Sequence, residues 1–199
     1  MNQKELTKLN KVIWEFGLNL IYLGIKFVQK AFWSLKKPST ISSYTLKEIL
    51  RNLGFSGKDM ISCSDQKYQL IDWNTWEWIK DIDLIDKLIY YYDYFDCDNF
   101  ALLFSSLTAA NYQLNSCGVV YGRIYNKNTL NLIGGHAFNV MITYEGDETL
   151  QNPDGTFRKK PIFKAYCYEP MNDGFTLIER DKSIIIEDWI YHPNWFFFF

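Results

Sequence analysis

Positive charge is what this sequence lacks first. Its 21 Lys and Arg are outnumbered by 23 Asp and Glu, so no net basic field exists to gather phosphate backbones, and nucleic acid is excluded as a natural partner. Histidine is scarcer still: His136 and His192 are the two copies, which leaves little choice for any step that needs an imidazole. The four cysteines, Cys63, Cys97, Cys117 and Cys167, form no close pair. A chain of 199 residues can bury a core without covalent staples, so these read as reduced thiols rather than a disulfide framework. Nor is there an unbroken apolar run long enough to span a bilayer. The nearest approach, residues 12–35, is interrupted by Glu15, Asn19, Lys26 and Lys30, whereas a span needs about 20 apolar residues with few charges. A cleavable signal wants a shorter core and small residues at the cut site.

Aromatic side chains, by contrast, are abundant: 7 Trp, 14 Tyr and 15 Phe imply thick packing and an exposed apolar patch. The four interruptions within residues 12–35 fall at helical steps and line up as one narrow polar stripe, so the segment is expected to be an amphipathic helix with a wide apolar face. That face packs on the domain or on a second copy of the chain. The alternative is a peripheral membrane contact, which Lys4, Lys8, Lys11, Lys36 and Lys37 at the ends would favour. The expected location is accordingly cytoplasmic, with membrane association as the variant. Lys36-Lys37-Pro38-Ser39-Thr40 ends the helix, dividing the chain into an N-terminal helix and linker (1–40) and a main domain (41–199).

Within the main domain, residues 45–54 read as a short amphipathic helix closed by Gly54. Residues 68–92 mix Trp, Ile and acidic residues without a clear period. Asp81, Asp83 and Asp86 lack the glycine and distal carboxylate of an EF-hand loop and read as a solvated acidic face. From Asp98 a buried helix of about four turns is expected. Four strand-like runs follow, at 118–125, 136–144, 162–168 and 183–191, separated by turn residues such as Asn152-Pro153-Asp154-Gly155. The fold class expected is α+β, a central helix packed on an antiparallel sheet.

A cysteine nucleophile needs partial ionisation near neutral pH, and a helix N-terminus or a neighbouring imidazolium supplies it. Cys97 starts the buried helix, with Asp96 or Asp98 placed to cap it, and its own amide is a ready oxyanion donor. His136, after Gly134-Gly135 at the head of an apolar strand, is favoured over His192 as its partner. Glu169 ends the next strand before Pro170. In an antiparallel hairpin of 136–144 with 161–169 it lies beside His136, where a carboxylate would orient the imidazole. A metal site built from Asp96, Asp98, His136 and Glu169 is a weaker alternative.

Asp96-Cys97-Asp98-Asn99-Phe100-Ala101 with Gly135-His136-Ala137 and Tyr168-Glu169-Pro170 resembles the papain-like cysteine protease superfamily. More narrowly, it resembles the C-terminal domain of the Marasmius oreades agglutinin and related phage and bacterial proteins, over roughly residues 85–192. The resemblance implies a papain-like fold, a Cys97–His136–Glu169 catalytic triad and a dependence on divalent calcium-type cations, for which no ligands can be matched in the sequence. No sugar-binding trefoil repeat is present, and no glutamine precedes Cys97 to serve as a second oxyanion donor; Tyr91, Asp93 or Tyr94 would have to substitute. The function expected is a cysteine peptidase-like hydrolase acting on a peptide or protein substrate through an amide or isopeptide bond, or passing the acyl group on as a transglutaminase does. The alternative is an inactive papain-like binding or structural protein that forms a homo-oligomer or attaches to membrane through residues 12–35.

Overall fold

A computed structural model describes residues 15–199, apart from residues 18, 21–22, 25, 28, 35–37, 56–59, 93–95 and 181. The chain divides into two compact units, Met1–Lys37 and Pro38–Phe199. In the first, the described residues between 15 and 34 are helical; Lys4, Lys8, Lys11, Lys36 and Lys37 lie outside the described residues.

The second unit opens with β1 (Ser39–Ser42) running into α1 (Ser43–Asn52). Ser42 is the N-cap, and its hydroxyl accepts the Thr45 N–H at 3.1 Å, satisfying one of the free donors of the first turn. Next come β2 (Ile61–Cys63) and β3 (Lys67–Leu70), the latter antiparallel to β1. Helix α2 (Trp73–Ile82) is capped by Asp72, whose carboxylate accepts the Thr75 N–H at 2.8 Å. Helix α3 spans Cys97–Tyr112. The remaining chain is strand: β4 (Cys117–Asn126), β5 (Leu132–Gln151), β6 (Phe157–Glu169), β7 (Gly174–Leu177), β8 (Ile184–Ile186) and β9 (Trp189–Phe198). These form one sheet in the order β2-β9-β4-β5-β6-β7, with β8 paired to β9. All of its pairings are antiparallel except β2 with β9.

Alternation along the strands gives the sheet two faces. On one, Val120, Ile124, Phe138, Val140, Ile142, Ala165, Cys167, Phe196 and Phe198 form the main core with Leu46 and Leu50 of α1. On the other, α3 crosses β4 and β5 through Ala101, Val119 and Ala137, and Phe104 of α3 meets Tyr168 of β6 at 4.6 Å between ring centroids. Burying each large apolar side chain contributes roughly 1.5–3 kcal/mol. Polar clamps fix the helix as well: Asn139 Nδ2 donates to the Ala101 and Gly118 carbonyls, and the Ser105 hydroxyl donates to the Cys117 carbonyl at 2.7 Å.

The expected class, an α+β papain-like fold organised on a central helix, is corrected here. Among the described residues strand exceeds helix, 43% against 32%, and the sheet recruits segments whose sequence carries no clear strand signal. Residues 61–63 and 174–177 are three and four residues long, too short for period-two alternation to stand out. Phe196, Phe197 and Phe198 of the terminal phenylalanine run belong to β9, with Phe196 and Phe198 buried and Phe197 exposed.

The close approach of β9 to β4 demands glycine. A Cβ on Gly122 would stand 2.3 Å from the His192 carbonyl oxygen, and one on Gly118 would meet the Phe198 ring at 2.7 Å. Gly122→Ala is therefore expected to destabilise the protein at or beyond the upper end of the roughly 1–3 kcal/mol typical of overpacking, because backbone rather than a mobile side chain is in the way. Urea denaturation with an unchanged midpoint would refute that assignment.

Candidate functional site

Cys97 is the first residue of α3. Its approach is shaped by Asp-Cys-Asp-Asn: Asp96 in extended conformation precedes the helix, its N–H donates to Asn99 Oδ1 at 3.2 Å, and Asp98 Oδ1 accepts the Asn99 N–H at 3.0 Å. The Asp98 carboxylate thus serves a first-turn donor. A hydrogen bond between the Asp96 and Asp98 carboxyls raises the pKa of Asp96. The Cys97 side chain is half-buried against Ala101, Val119 and Ala137, so its position is set by the contact between α3 and the sheet.

His136 comes from β5 and is buried, with Phe138, Trp189 and Tyr191 around its ring. Its Nε2 meets Glu169 Oε2 at 2.5 Å. The Cys97 thiol lies close enough to the ring to act on it. Gly134 and Gly135 border open space, so the mouth of the pair is not walled on that side. Burial pulls the imidazole pKa down, but the hydrogen bonds to Cys97 and Glu169, with the charges on both, outweigh it and hold His136 at about 9. At neutral pH the ring is therefore an imidazolium between a thiol and a carboxylate.

Glu169 ends β6, and the pairing of Asn139 with Tyr168 puts it on the same face as His136, one step along the ladder. A carboxylate this deeply buried is costly unless its lone pairs are filled. Here Oε2 accepts from the Tyr191 hydroxyl at 3.2 Å as well as meeting His136, and Oε1 accepts the Met171 N–H at 3.3 Å. The structure therefore brings Cys97, His136 and Glu169 together and adds Tyr191, which sequence reasoning missed. Tyr191 lies in β9, two strands from β5 across β4, and its only sequence signal is its alternation within an apolar run.

The remaining candidates lie elsewhere. His192 stands against Tyr125, at 4.9 Å between rings, on the rim of a separate cavity of about 450 Å³ that also includes Glu179, Lys182 and Asn194. Tyr91 is exposed, and Asp93 and Tyr94 lie outside the described residues. Among the described residues no group of three or more His, Cys, Asp or Glu is arranged to hold a metal ion.

No family model matches the sequence, and no curated protein matches it. Solved structures do. A chain described as a PSL1a–E64 complex superposes with a TM-score of 0.50 at 18% identity, over 80% of this chain and 50% of that one. The Polyporus squamosus lectin bound to a human-type influenza-binding epitope, Neu5Acα2-6Galβ1-4GlcNAc, gives a TM-score of 0.49 at 18% identity, over 80% and 49%. This chain spans about half the length of each.

These comparisons correct the papain-like reading. The fold shared is that of the PSL1a chain, over half of its length. The assignment as a papain-like cysteine hydrolase or thiol protease is withdrawn, with its transglutaminase-like variant, its inactive papain-like alternative and its peptide or protein substrate. The physical reason is that a cysteine at a helix start, followed by a histidine and a glutamate on paired strands, places three side chains together on any helix-on-sheet scaffold. That order specifies neither the fold family nor the ligand.

The environment of His136 has a measurable consequence. Its folded pKa, about 9, lies above the 6.5 of an unperturbed imidazole, so the stabilisation from charging it is fully present below pH 6.5 and is lost as pH rises through 9. NMR titration of the ring should give a midpoint near 9 in the wild type. Cys97→Ala and Glu169→Gln should each lower it, since burial then acts with less opposition. Tyr191→Phe should change it least while leaving the ring buried. A midpoint near 6.5 in the wild type, insensitive to Glu169→Gln, would refute the arrangement.

Proposed function

We propose that Cys97, His136 and Glu169 are the reactive centre of a ligand-binding protein, in which the Cys97 sulfur bonds covalently to an electrophilic carbon of a bound ligand. What carries the reading is the His136 imidazolium, held between Glu169 and the Cys97 thiol. Cys97 is the first residue of α3, whose free first-turn N–H groups suit the oxygen anion formed in the reaction. In the reaction the thiolate forms a sulfur–carbon bond as a carbon–oxygen bond of the ligand opens or its carbonyl becomes an alkoxide, and His136 donates its proton to that oxygen. Glu169 compensates the imidazolium before the step and holds the neutral ring in place after it. Peptide-bond cleavage is not part of this reading.

The three other thiols make the centre testable. Burial pushes up the thiols of Cys63, Cys117 and Cys167, so they should be slow at neutral pH. E64, named with one solved neighbour, is an epoxide and so a suitable electrophile. Incubation at pH 7 followed by intact-mass measurement and peptide mapping should give one adduct, on Cys97, forming at least roughly tenfold faster than any on Cys63. The rate should fall on the order of 100-fold in His136→Ala. Equal labelling of Cys63 and Cys97 would refute the proposal.

Glycan binding is a second reading, favoured by the fold shared with PSL1a and by an aromatic surface. Trp73 stacks on Tyr166 at 3.9 Å, and the exposed Phe175 adjoins it at 4.7 Å with Lys80 over its ring. Such a surface suits the apolar face of a pyranose. Saturation-transfer NMR with Neu5Acα2-6Galβ1-4GlcNAc should then show transfer that Phe175→Ala reduces; no transfer with the wild type would remove this reading for that glycan.

A further inference from the structure

Charge is divided unequally between the two units. Residues 1–37 carry seven lysines and two glutamates, a net charge of +5, whereas residues 38–199 carry 14 basic and 21 acidic residues, a net charge of −7. The formal −2 of the whole chain conceals a strongly cationic N-terminal unit.

That unit also presents an uncovered apolar stripe. Phe16, Leu20, Leu23 and Phe27 are helical and 65%, 54%, 61% and 75% exposed. At about 100° per residue their side chains fall within an arc of about 60° on one side of the helix. Lys26 and Lys30 are exposed along one border of that arc, where their stems can lie on the apolar surface and their ammonium groups reach outward. Among the described residues no helix is long and apolar enough to cross a membrane. An apolar stripe edged by lysines suits the plane of a lipid–water interface instead.

We propose that this helix docks the protein onto an anionic lipid surface, inserting Phe16, Leu20, Leu23 and Phe27 among the acyl chains while Lys26 and Lys30 meet the headgroups. Charge complementarity favours this occupant over a second copy of the helix. Two copies of the stripe face to face would bring Lys26 and Lys30 of each toward a unit of the same +5 charge, whereas anionic headgroups attract them, and the attraction weakens with salt. The docking is independent of the chemistry at Cys97.

Flotation of the full-length protein with vesicles tests it. With phosphatidylcholine containing about one-third phosphatidylglycerol the protein should float at low salt; with phosphatidylcholine alone it should stay at the bottom, and raising the salt should release it. Leu23→Glu/Phe27→Glu should lower partitioning at least roughly tenfold. Lys26→Glu/Lys30→Glu should remove the preference for the anionic vesicles. Near-UV circular dichroism and the thermal transition of both variants should match the wild type, which separates lost docking from lost folding. Failure to float with anionic vesicles, or flotation unchanged in Leu23→Glu/Phe27→Glu, would overturn the proposal. A concentration-dependent dimer that the same variant dissociates, without flotation, would overturn it in favour of a second copy.

Discussion

Hydrogen bonding of β5 to β4 along one edge and to β6 along the other governs where Cys97, His136 and Glu169 stand. From one face of β5, His136 points toward Glu169, which its β6 neighbour carries. From the other face, Asn139 binds the Ala101 carbonyl and so draws α3, with Cys97 at its start, onto the sheet. A slip of one residue in either pairing would turn His136 to the wrong face and release Asn139 from the helix at once. The register cannot drift, because Phe138, Val140 and Ile142 would leave the main core with it.

Inside that frame the cost of burying ions is offset locally. The Glu169 carboxylate is filled by the His136 ring, the Tyr191 hydroxyl and a backbone N–H, and the ring is charged because carboxylate and thiol act on it together. Tyr191 is tied to both halves of the problem. Its ring packs in the main core against Phe138, and its hydroxyl serves the carboxylate. The cluster of Cys97, His136 and Glu169 is thus an extension of the core rather than a loop feature, which favours a fixed geometry.

Much of the local organisation is legible from residue order. Asp-Cys-Asp-Asn before an apolar run marks the start of α3, and the turn Asn152-Pro153-Asp154-Gly155 joins two strands whose antiparallel pairing carries Glu169 back beside His136. These are short-range relations, dictated by caps, periods and one hairpin. The identity of the fold is not of that kind. The papain-like reading rested on the order of three residues, whereas the architecture depends on which strands become neighbours: β9 between β2 and β4, and β7 at the far edge. Pairing between segments more than a hundred residues apart, as between Cys63 and Phe198, leaves no periodic trace in either segment.

Cys97 at a helix start, an imidazole on an apolar strand, a carboxylate ending the next, and a cationic N-terminal segment ahead of an acidic domain follow from the sequence by itself. Each depends on neighbours within one helix or one hairpin, where backbone geometry leaves few choices. Tertiary structure alone decided that Tyr191 completes the carboxylate's partners, that the terminal phenylalanines build a central strand, and that His136 is charged. Those outcomes depend on burial and on groups brought together from distant strands, and desolvation has no value until the whole sheet has closed over the site.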